Sequence, residues 1–72
     1  MKIIEVTWSD SHRYAYQMAP DEEMLVVTIT SVGYLVKEDK TSLTLAQDDI
    51  GGDVRGVIVI PKVNVQKRKV LR

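Results

Sequence analysis

Hydrophobic and polar residues alternate along most of the chain, which predicts short β-strands. The pattern is clearest at residues 2–8, where Ile4, Val6 and Trp8 would share one face of a first strand. Further strands are predicted at residues 24–37, 41–47, 55–60 and 63–71. Because no window of useful length shows the period of an amphipathic helix, we expect an all-β protein.

Polar segments rich in turn-forming residues separate the predicted strands. The loops are predicted at residues 9–23, 38–40 and 48–53. Gly51 and Gly52 suit the last of these because glycine adopts positive φ without steric cost. Pro61 is expected to end the fourth strand, since proline has no amide hydrogen to donate within a sheet. Leu43 and Leu45 mark the inner face of the third strand.

The second predicted strand, residues 24–37, changes the phase of its alternation. Its apolar residues lie first at odd positions and then at even ones: Leu25, Val27 and Ile29, then Val32, Tyr34 and Val36. Since successive side chains of a strand point to opposite faces, a flat strand cannot bury both sets. We therefore predict a bulge or bend between Thr30 and Gly33, which turns both sets toward the core and leaves Gly33 pointing outward.

The length of 72 residues indicates one small domain that covers residues 1–72. Five short strands are too few for the usual seven-stranded sandwich, which leaves a small barrel with a strongly bent second strand and a long first loop. A core this thin is often completed by self-association, which can pair an open sheet edge. We expect a binding module whose partner is another protein or further copies of itself.

Residues 56–65 read Gly-Val-Ile-Val-Ile-Pro-Lys-Val-Asn-Val. This stretch resembles the element of SH3-like barrels in which a strand ending in Ile-Pro is followed closely by an Asn. The resemblance implies a long loop after the first strand and a 3₁₀ turn before the last. Asn64 stands one residue further from Pro61 than in the SH3 motif, and the aromatic residues of the proline-peptide groove are missing. Only Pro61 matches that groove, so proline-peptide binding is not implied.

The layout also resembles the Sm-like barrel, a five-stranded, RNA-binding ring former with a strongly bent second strand. That family normally begins with a helix, whereas this chain begins with a predicted strand. In general style the sequence is similar to small uncharacterised proteins of phage genomes. The Sm-like resemblance implies nucleic-acid binding by an oligomer as the alternative function.

Positive charge is concentrated in the last part of the chain, although the formal net charge is zero. Residues 62–72 contain five basic residues and no acidic one: Lys62, Lys67, Arg68, Lys69 and Arg72. On a strand, Lys67 and Lys69 would project to one face and Arg68 to the other. Two interpretations stay open. The cations could bind the phosphates of a nucleic acid or nucleotide, or they could protect an edge strand from unwanted pairing.

The aromatic residues lie mainly around the long first loop. Trp8, Tyr14 and Tyr16 fall within nine residues of one another. One interpretation is a partner-binding patch, because Trp and Tyr combine apolar area with a polar tip. The other is packing, with Trp8 in the core and the two tyrosines holding the loop against it. These three residues are the candidate partner-binding residues.

The sequence offers little that could support catalysis or metal binding. His12, the one histidine, lies directly after Ser9, Asp10 and Ser11 on the same loop, whereas the members of a catalytic triad come from separated elements. The acids of residues 48–53 do not have the spacing of a calcium-binding EF-hand loop. We expect no enzyme activity, metal or cofactor; a site around His12 is the third and last hypothesis.

The first ten residues alternate instead of forming an apolar run. We therefore expect neither a signal peptide nor a membrane-spanning segment, and we expect a cytoplasmic protein. The absence of cysteine is compatible with a reducing compartment.

Overall fold

The computed structural model describes residues 1–10 and 27–72, which form an all-β fold as predicted. The elements are β1 (Ile3–Asp10), β2 (Val27–Glu38), β3 (Ser42–Ile50), β4 (Asp53–Pro61), a 3₁₀ turn (Lys62–Asn64) and β5 (Val65–Val70). The five strands form one sheet in the order β4-β3-β2-β1-β5, and every neighbouring pair is antiparallel. The 3₁₀ turn lies directly before the last strand, as expected.

The sheet has two edges, β4 and β5, and strand pairing does not join them within the described residues. Closure into a barrel is therefore not confirmed. The described residues extend over 49 × 22 × 20 Å with a radius of gyration of 14.9 Å, whereas a compact chain of this size would have about 11 Å. The elongation has a cause in the pairing, because β3 pairs with β2 only as far as Ala46 and then continues with β4.

The core lies on one face of the sheet. Its buried members come from β1, β3 and β4: Ile4, Val6, Trp8, Leu43, Leu45 and Ile60. Ile29, Leu35 and Val65 pack against this cluster. The inner faces predicted for the first and third strands are confirmed.

β2 keeps a single phase, so the predicted bulge between Thr30 and Gly33 is wrong. Residues 27–34 pair with β1 without any shift of register. The shift in β2 occurs further along, between Leu35 and Lys37 in the pairing with β3. β2 thus pairs with β1 along its first part and with β3 along its last.

The residues on the two faces of β2 also differ from the prediction. Val32 is 57% exposed and Val36 is 38% exposed, so neither lies in the core. Tyr34 is half-buried and stands opposite Ile3 on the outer face. Val27 is exposed at the start of the strand. Of the predicted inward set, Ile29 is confirmed and Leu25 lies outside the described residues.

The core-facing row of β2 contains two residues without apolar side chains, Ser31 and Gly33. The indole Nε1 of Trp8 donates a hydrogen bond to Ser31 Oγ at 3.0 Å, which gives this buried ring its polar partner. A Cβ on Gly33 would lie 2.8 Å from the carbonyl oxygen of Ala46 and 3.3 Å from Leu45 Cβ. Gly33 therefore faces inward, not outward as predicted. A glycine is needed at this position because the β3 backbone approaches too closely for a side chain.

The turns that join β2 to β3 and β3 to β4 are short. Asp39 organises the first, since its Oδ1 accepts hydrogen bonds from the amides of Thr41 at 2.8 Å and Ser42 at 2.9 Å. The second turn consists of Gly51 and Gly52 alone, with φ of 59° and 113°. The positive φ of these glycines agrees with the prediction, but the loop predicted over residues 48–53 is too long because its acidic residues belong to β3 and β4.

The last strand begins later than predicted. Pro61 ends β4 as expected, but Val63 belongs to the 3₁₀ turn and is 93% exposed, so it does not start a strand. β5 begins at Val65, which packs against the core. In the part of the chain that the structure describes, no helix has the length and apolar character needed to cross a membrane.

Candidate protein-binding edge

β4 combines the composition of a central strand with the position of an edge strand. Val57, Ile58 and Val59 are 51%, 38% and 59% exposed, and we call these three residues the apolar edge. Ile60 is the one fully buried residue of the strand. A continuous apolar run is typical of a strand that is covered on both faces. The described part of the chain covers little of this one.

The backbone of the apolar edge also presents hydrogen-bonding groups that point away from the sheet. Residues 57–61 pair with β3 in one register, and just beyond them Lys62 N donates to Thr41 O at 2.8 Å. Because bonded and non-bonded pairs alternate in an antiparallel ladder, the even-numbered residues here direct their amides and carbonyls to β3. The groups of Val57 and Val59 point the opposite way, where no other described strand pairs with β4.

The protection that natural sheets give to their edges is confined to the two ends of β4. Such protection comes from charged side chains, proline and bulges. Arg55 near the start forms an ion pair with Asp48 at 2.7 Å, and Pro61 occupies the end. Between them the strand carries no charged residue. The centre of this edge is therefore suited to pairing with another strand.

The apolar edge continues onto the outer face of the sheet. Val57 stands opposite Ala46 of β3, and Ala46 in turn stands opposite Tyr34 of β2. Ala46 is only 1% exposed, so this row is closely packed although it lies on the face away from the core. A strand added beside β4 would extend an existing apolar row.

A hairpin arm extends from the body of the sheet beside the apolar edge. It consists of residues 47–56, where β3 and β4 pair only with each other among the described strands. Ile50 near its tip is 51% exposed, and Gly56 bends β4 with a φ of 66°. An isolated two-stranded hairpin is only marginally stable in water. The arm would therefore gain stability from any strand that covers its edge.

Two of the three acidic residues of the arm, Asp48 and Asp49, make local contacts. Besides the Asp48 ion pair, Asp49 Oδ1 accepts a hydrogen bond from Gly52 N at 3.3 Å. Within residues 1–10 and 27–72, no group of three or more side chains is arranged to hold a metal ion. Asp48 thus joins the two strands of the arm, and Asp49 stabilises its turn.

Two of the five basic residues proposed for nucleic-acid contact share one carboxylate. Glu38 Oε2 lies 2.8 Å from Lys62 Nζ and 3.1 Å from Arg68 Nη1. The hydrogen bonds from Lys62 and Arg68 hold the pKa of Glu38 below its ordinary value. Glu38 thus ties the end of β2 to the 3₁₀ turn and β5, and it offsets part of the positive charge.

The basic residues of β5 are divided between its two faces, as the alternation predicts. Lys67 and Lys69 stand opposite Thr7 and Glu5 on the outer face, whereas Arg68 stands opposite buried Val6. A shallow cavity of about 230 Å³ is lined by Lys67, Arg68 and Lys69 together with Thr7 and Glu5, so an acidic residue lies among the basic ones. The carbonyl of Arg72 accepts a hydrogen bond from Ile3 N at 2.9 Å. The structure therefore does not gather the five basic residues into one patch.

The three candidate aromatic residues have different outcomes. Trp8 is 5% exposed and belongs to the core, so its ring is not offered to a partner and the packing interpretation applies to it. Tyr14 and Tyr16 lie outside the described residues, as does His12, and the roles suggested for them stay predictions.

Comparison of the chain with protein-family models, curated proteins and solved structures finds no match. The function is therefore inferred from the chain's own geometry, in which the apolar edge is a run of three exposed apolar residues beside which no further described strand lies.

Proposed function

We propose that the protein is a non-enzymatic binding module that takes an extended segment of a protein onto the edge of β4. The observation that carries the proposal is the apolar edge itself, three consecutive exposed apolar residues on a strand whose outer side pairs with no other described strand. Strand addition to a sheet edge is a common mode of protein recognition, in which backbone hydrogen bonds give affinity and side chains give specificity.

The chemistry of the edge defines the segment that it would accept. The amides and carbonyls of Val57 and Val59 bond to its backbone, so the segment must be extended and free of proline at the paired positions. Its side chains lie beside Val57, Ile58 and Val59, which favours β-branched or other apolar residues at its centre. A charged residue there would lose hydration without gaining a partner.

Nucleic-acid or nucleotide binding by Lys62, Lys67, Arg68, Lys69 and Arg72 is the weaker candidate. Glu38 pairs with Lys62 and Arg68, and Lys67 and Lys69 lie on the opposite face of β5 from Arg68. Backbone-tracking proteins also use aromatic platforms for bases, and β5 contains no aromatic residue. A partner surface formed by Tyr14 and Tyr16 remains a separate prediction.

The five-stranded order with a 3₁₀ turn before the last strand supports a relation to small SH3-like or Sm-like barrels, and we propose that relation on this layout alone. A phage origin and a cytoplasmic location are proposals from the style and composition of the sequence. None of the three is needed for binding at the β4 edge.

Selection from a library of displayed random peptides tests the proposed function without a known partner. The wild-type protein should enrich extended peptides with apolar residues at their centre. The substitution Val59→Lys should abolish this enrichment, because it places a charge beside the outward backbone groups of β4.

The matched control is Val32→Lys, at a residue of similar exposure on β2. It should enrich the same peptides as the wild type. Enrichment by Val59→Lys as strong as that by the wild type, or no enrichment by the wild type at a concentration at which it is monomeric, would contradict binding at this edge.

A further inference from the structure

We infer that the segment bound at the β4 edge is β4 of a second copy of this chain, paired antiparallel about a two-fold axis at Ile58. This inference rests on the proposed function, since it names the partner of the same edge. It commits to a closed dimer, in which two five-stranded sheets continue into one another through their β4 strands.

The apolar edge is complementary to itself in this register. Rotation about Ile58 places Ile58 against its own copy and Val57 against Val59 of the second chain. All three exposed apolar residues then meet apolar residues. If the two-fold axis lay at Val57 instead, Arg55 would stand opposite Val59 and Gly56 opposite Ile58. Ile58 and Val59 would then lose their apolar partners.

The backbone agrees with the same register. Val57 and Val59 have outward-pointing amides and carbonyls, and in this pairing they stand directly opposite each other. Each dimer therefore forms two hydrogen-bonded pairs around its centre. The next hydrogen-bonded pair joins Arg55 of one chain to Pro61 of the other. Because proline supplies only a carbonyl, the intermolecular ladder weakens at this pair.

Charge favours β4 over β5 as the occupant. The centre of β5 carries Lys67, Arg68 and Lys69 in succession. Pairing β4 with β5 would place this run beside the apolar edge, and pairing β5 with its own copy would place like charges opposite one another. When β4 pairs with β4 of the second chain, Arg55 stands opposite Pro61 of that chain and keeps its ion pair with Asp48 of its own chain. No like charges meet.

The mass of the protein in solution is the first measurement. Light scattering at a series of concentrations should show the mass of two chains, falling to that of one chain on dilution. Val59→Lys should show the mass of one chain at concentrations at which the wild type is dimeric, and Val32→Lys should behave as the wild type.

A disulfide at the axis tests the register. The chain has no cysteine, so Ile58→Cys introduces a single thiol. Residue 58 would stand opposite its own copy in a non-hydrogen-bonded pair, with Cα atoms about 4.5 Å apart, and disulfides span about 4.4–6.8 Å. Mild oxidation should convert the dimer to a covalent one, whereas Val32→Cys should stay uncrosslinked. For the test to count, both variants should give the circular dichroism spectrum of the wild type.

The outcomes separate this inference from the proposed function. A dimer that is crosslinked through residue 58 and lost in Val59→Lys supports the inference. If the wild type forms a larger ring or filament and Val59→Lys dissociates it, the two-fold pairing is wrong but binding at the β4 edge is supported. A protein that is monomeric at all concentrations yet selects peptides through β4 overturns only the self-partner. If Val59→Lys remains a dimer, the inference is wrong and the dimer interface lies outside the β4 edge.

Discussion

Ser31 and Gly33 show how single residues determine the path of β2. Both occupy core-facing positions where the surrounding strand would suggest apolar side chains. One supplies a hydrogen-bond acceptor to Trp8, and the other leaves space for the backbone of β3. The apparent change of phase in the sequence is therefore the result of two specific contacts rather than of an inserted residue.

Substitution of Gly33 tests the close approach of β3. Because the added Cβ of Gly33→Ala would meet a backbone atom at 2.8 Å, the strands must shift. We expect a loss of about 1–3 kcal/mol in the free energy of unfolding, measured with urea. Val32→Ala, on the exposed side of the same strand, should lose less than about 1 kcal/mol. Equal stability of Gly33→Ala and the wild type would refute the inward placement of Gly33.

Substitution of Ser31 tests the hydrogen bond of Trp8. Ser31→Ala leaves the indole N–H without its partner, which should destabilise the fold by about 1–3 kcal/mol. Thr30→Ala is the matched control, since the Thr30 hydroxyl lies 3.4 Å from that of Thr7 in an exposed pair and should change stability by less than about 0.5 kcal/mol. If both variants unfold at the same urea concentration, the indole hydrogen bond has no role in stability.

At the scale of elements, the turn between β2 and β3 depends on an ionised side chain. Hydrogen bonds from the amides and hydroxyls of Thr41 and Ser42 lower the pKa of Asp39 from 3.8 to about 2. A lowered pKa means that the ionised form is favoured in the folded turn. The stabilisation is therefore complete above pH 3.8 and is lost as the pH falls toward about 2.

An acid titration followed by NMR measures this effect. The carboxyl carbon of Asp39 should titrate with a midpoint near 2, and the amide signals of Thr41 and Ser42 should move with it. In Asp39→Asn, which keeps an acceptor oxygen but does not titrate, those two amides should lose this transition. A midpoint for Asp39 near 3.8 would contradict the hydrogen-bonded turn.

Most elements could be predicted because their signals are local. The alternation of β1, the glycines of the second turn and the proline at the end of β4 each act within a few residues. The interior of β2 could not be predicted in the same way, because the reasons for Ser31 and Gly33 lie on β1 and β3. The place of Val63 could not be predicted for a related reason, since a 3₁₀ turn and the start of a strand look alike over three residues.

At the scale of the whole molecule, the two edges of the sheet differ in character. β5 carries three consecutive basic residues, which is a common defence against unwanted strand pairing. The centre of β4 carries none. The apolar run of β4 is visible in the sequence, but its meaning depends on the order of strands in the sheet. That order places β4 at an edge, and an edge with this composition is the basis of the proposed function.

Amide hydrogen exchange at Val57 and Val59 tests the binding edge most directly. In dilute protein these two amides should exchange rapidly, whereas the amides of Ile58 and Ile60, which bond to β3, should be protected. At a concentration that favours association, or with a selected peptide bound, Val57 and Val59 should become protected as well. Protection of both already in the dilute monomer, or rapid exchange of both under every condition, would contradict the account.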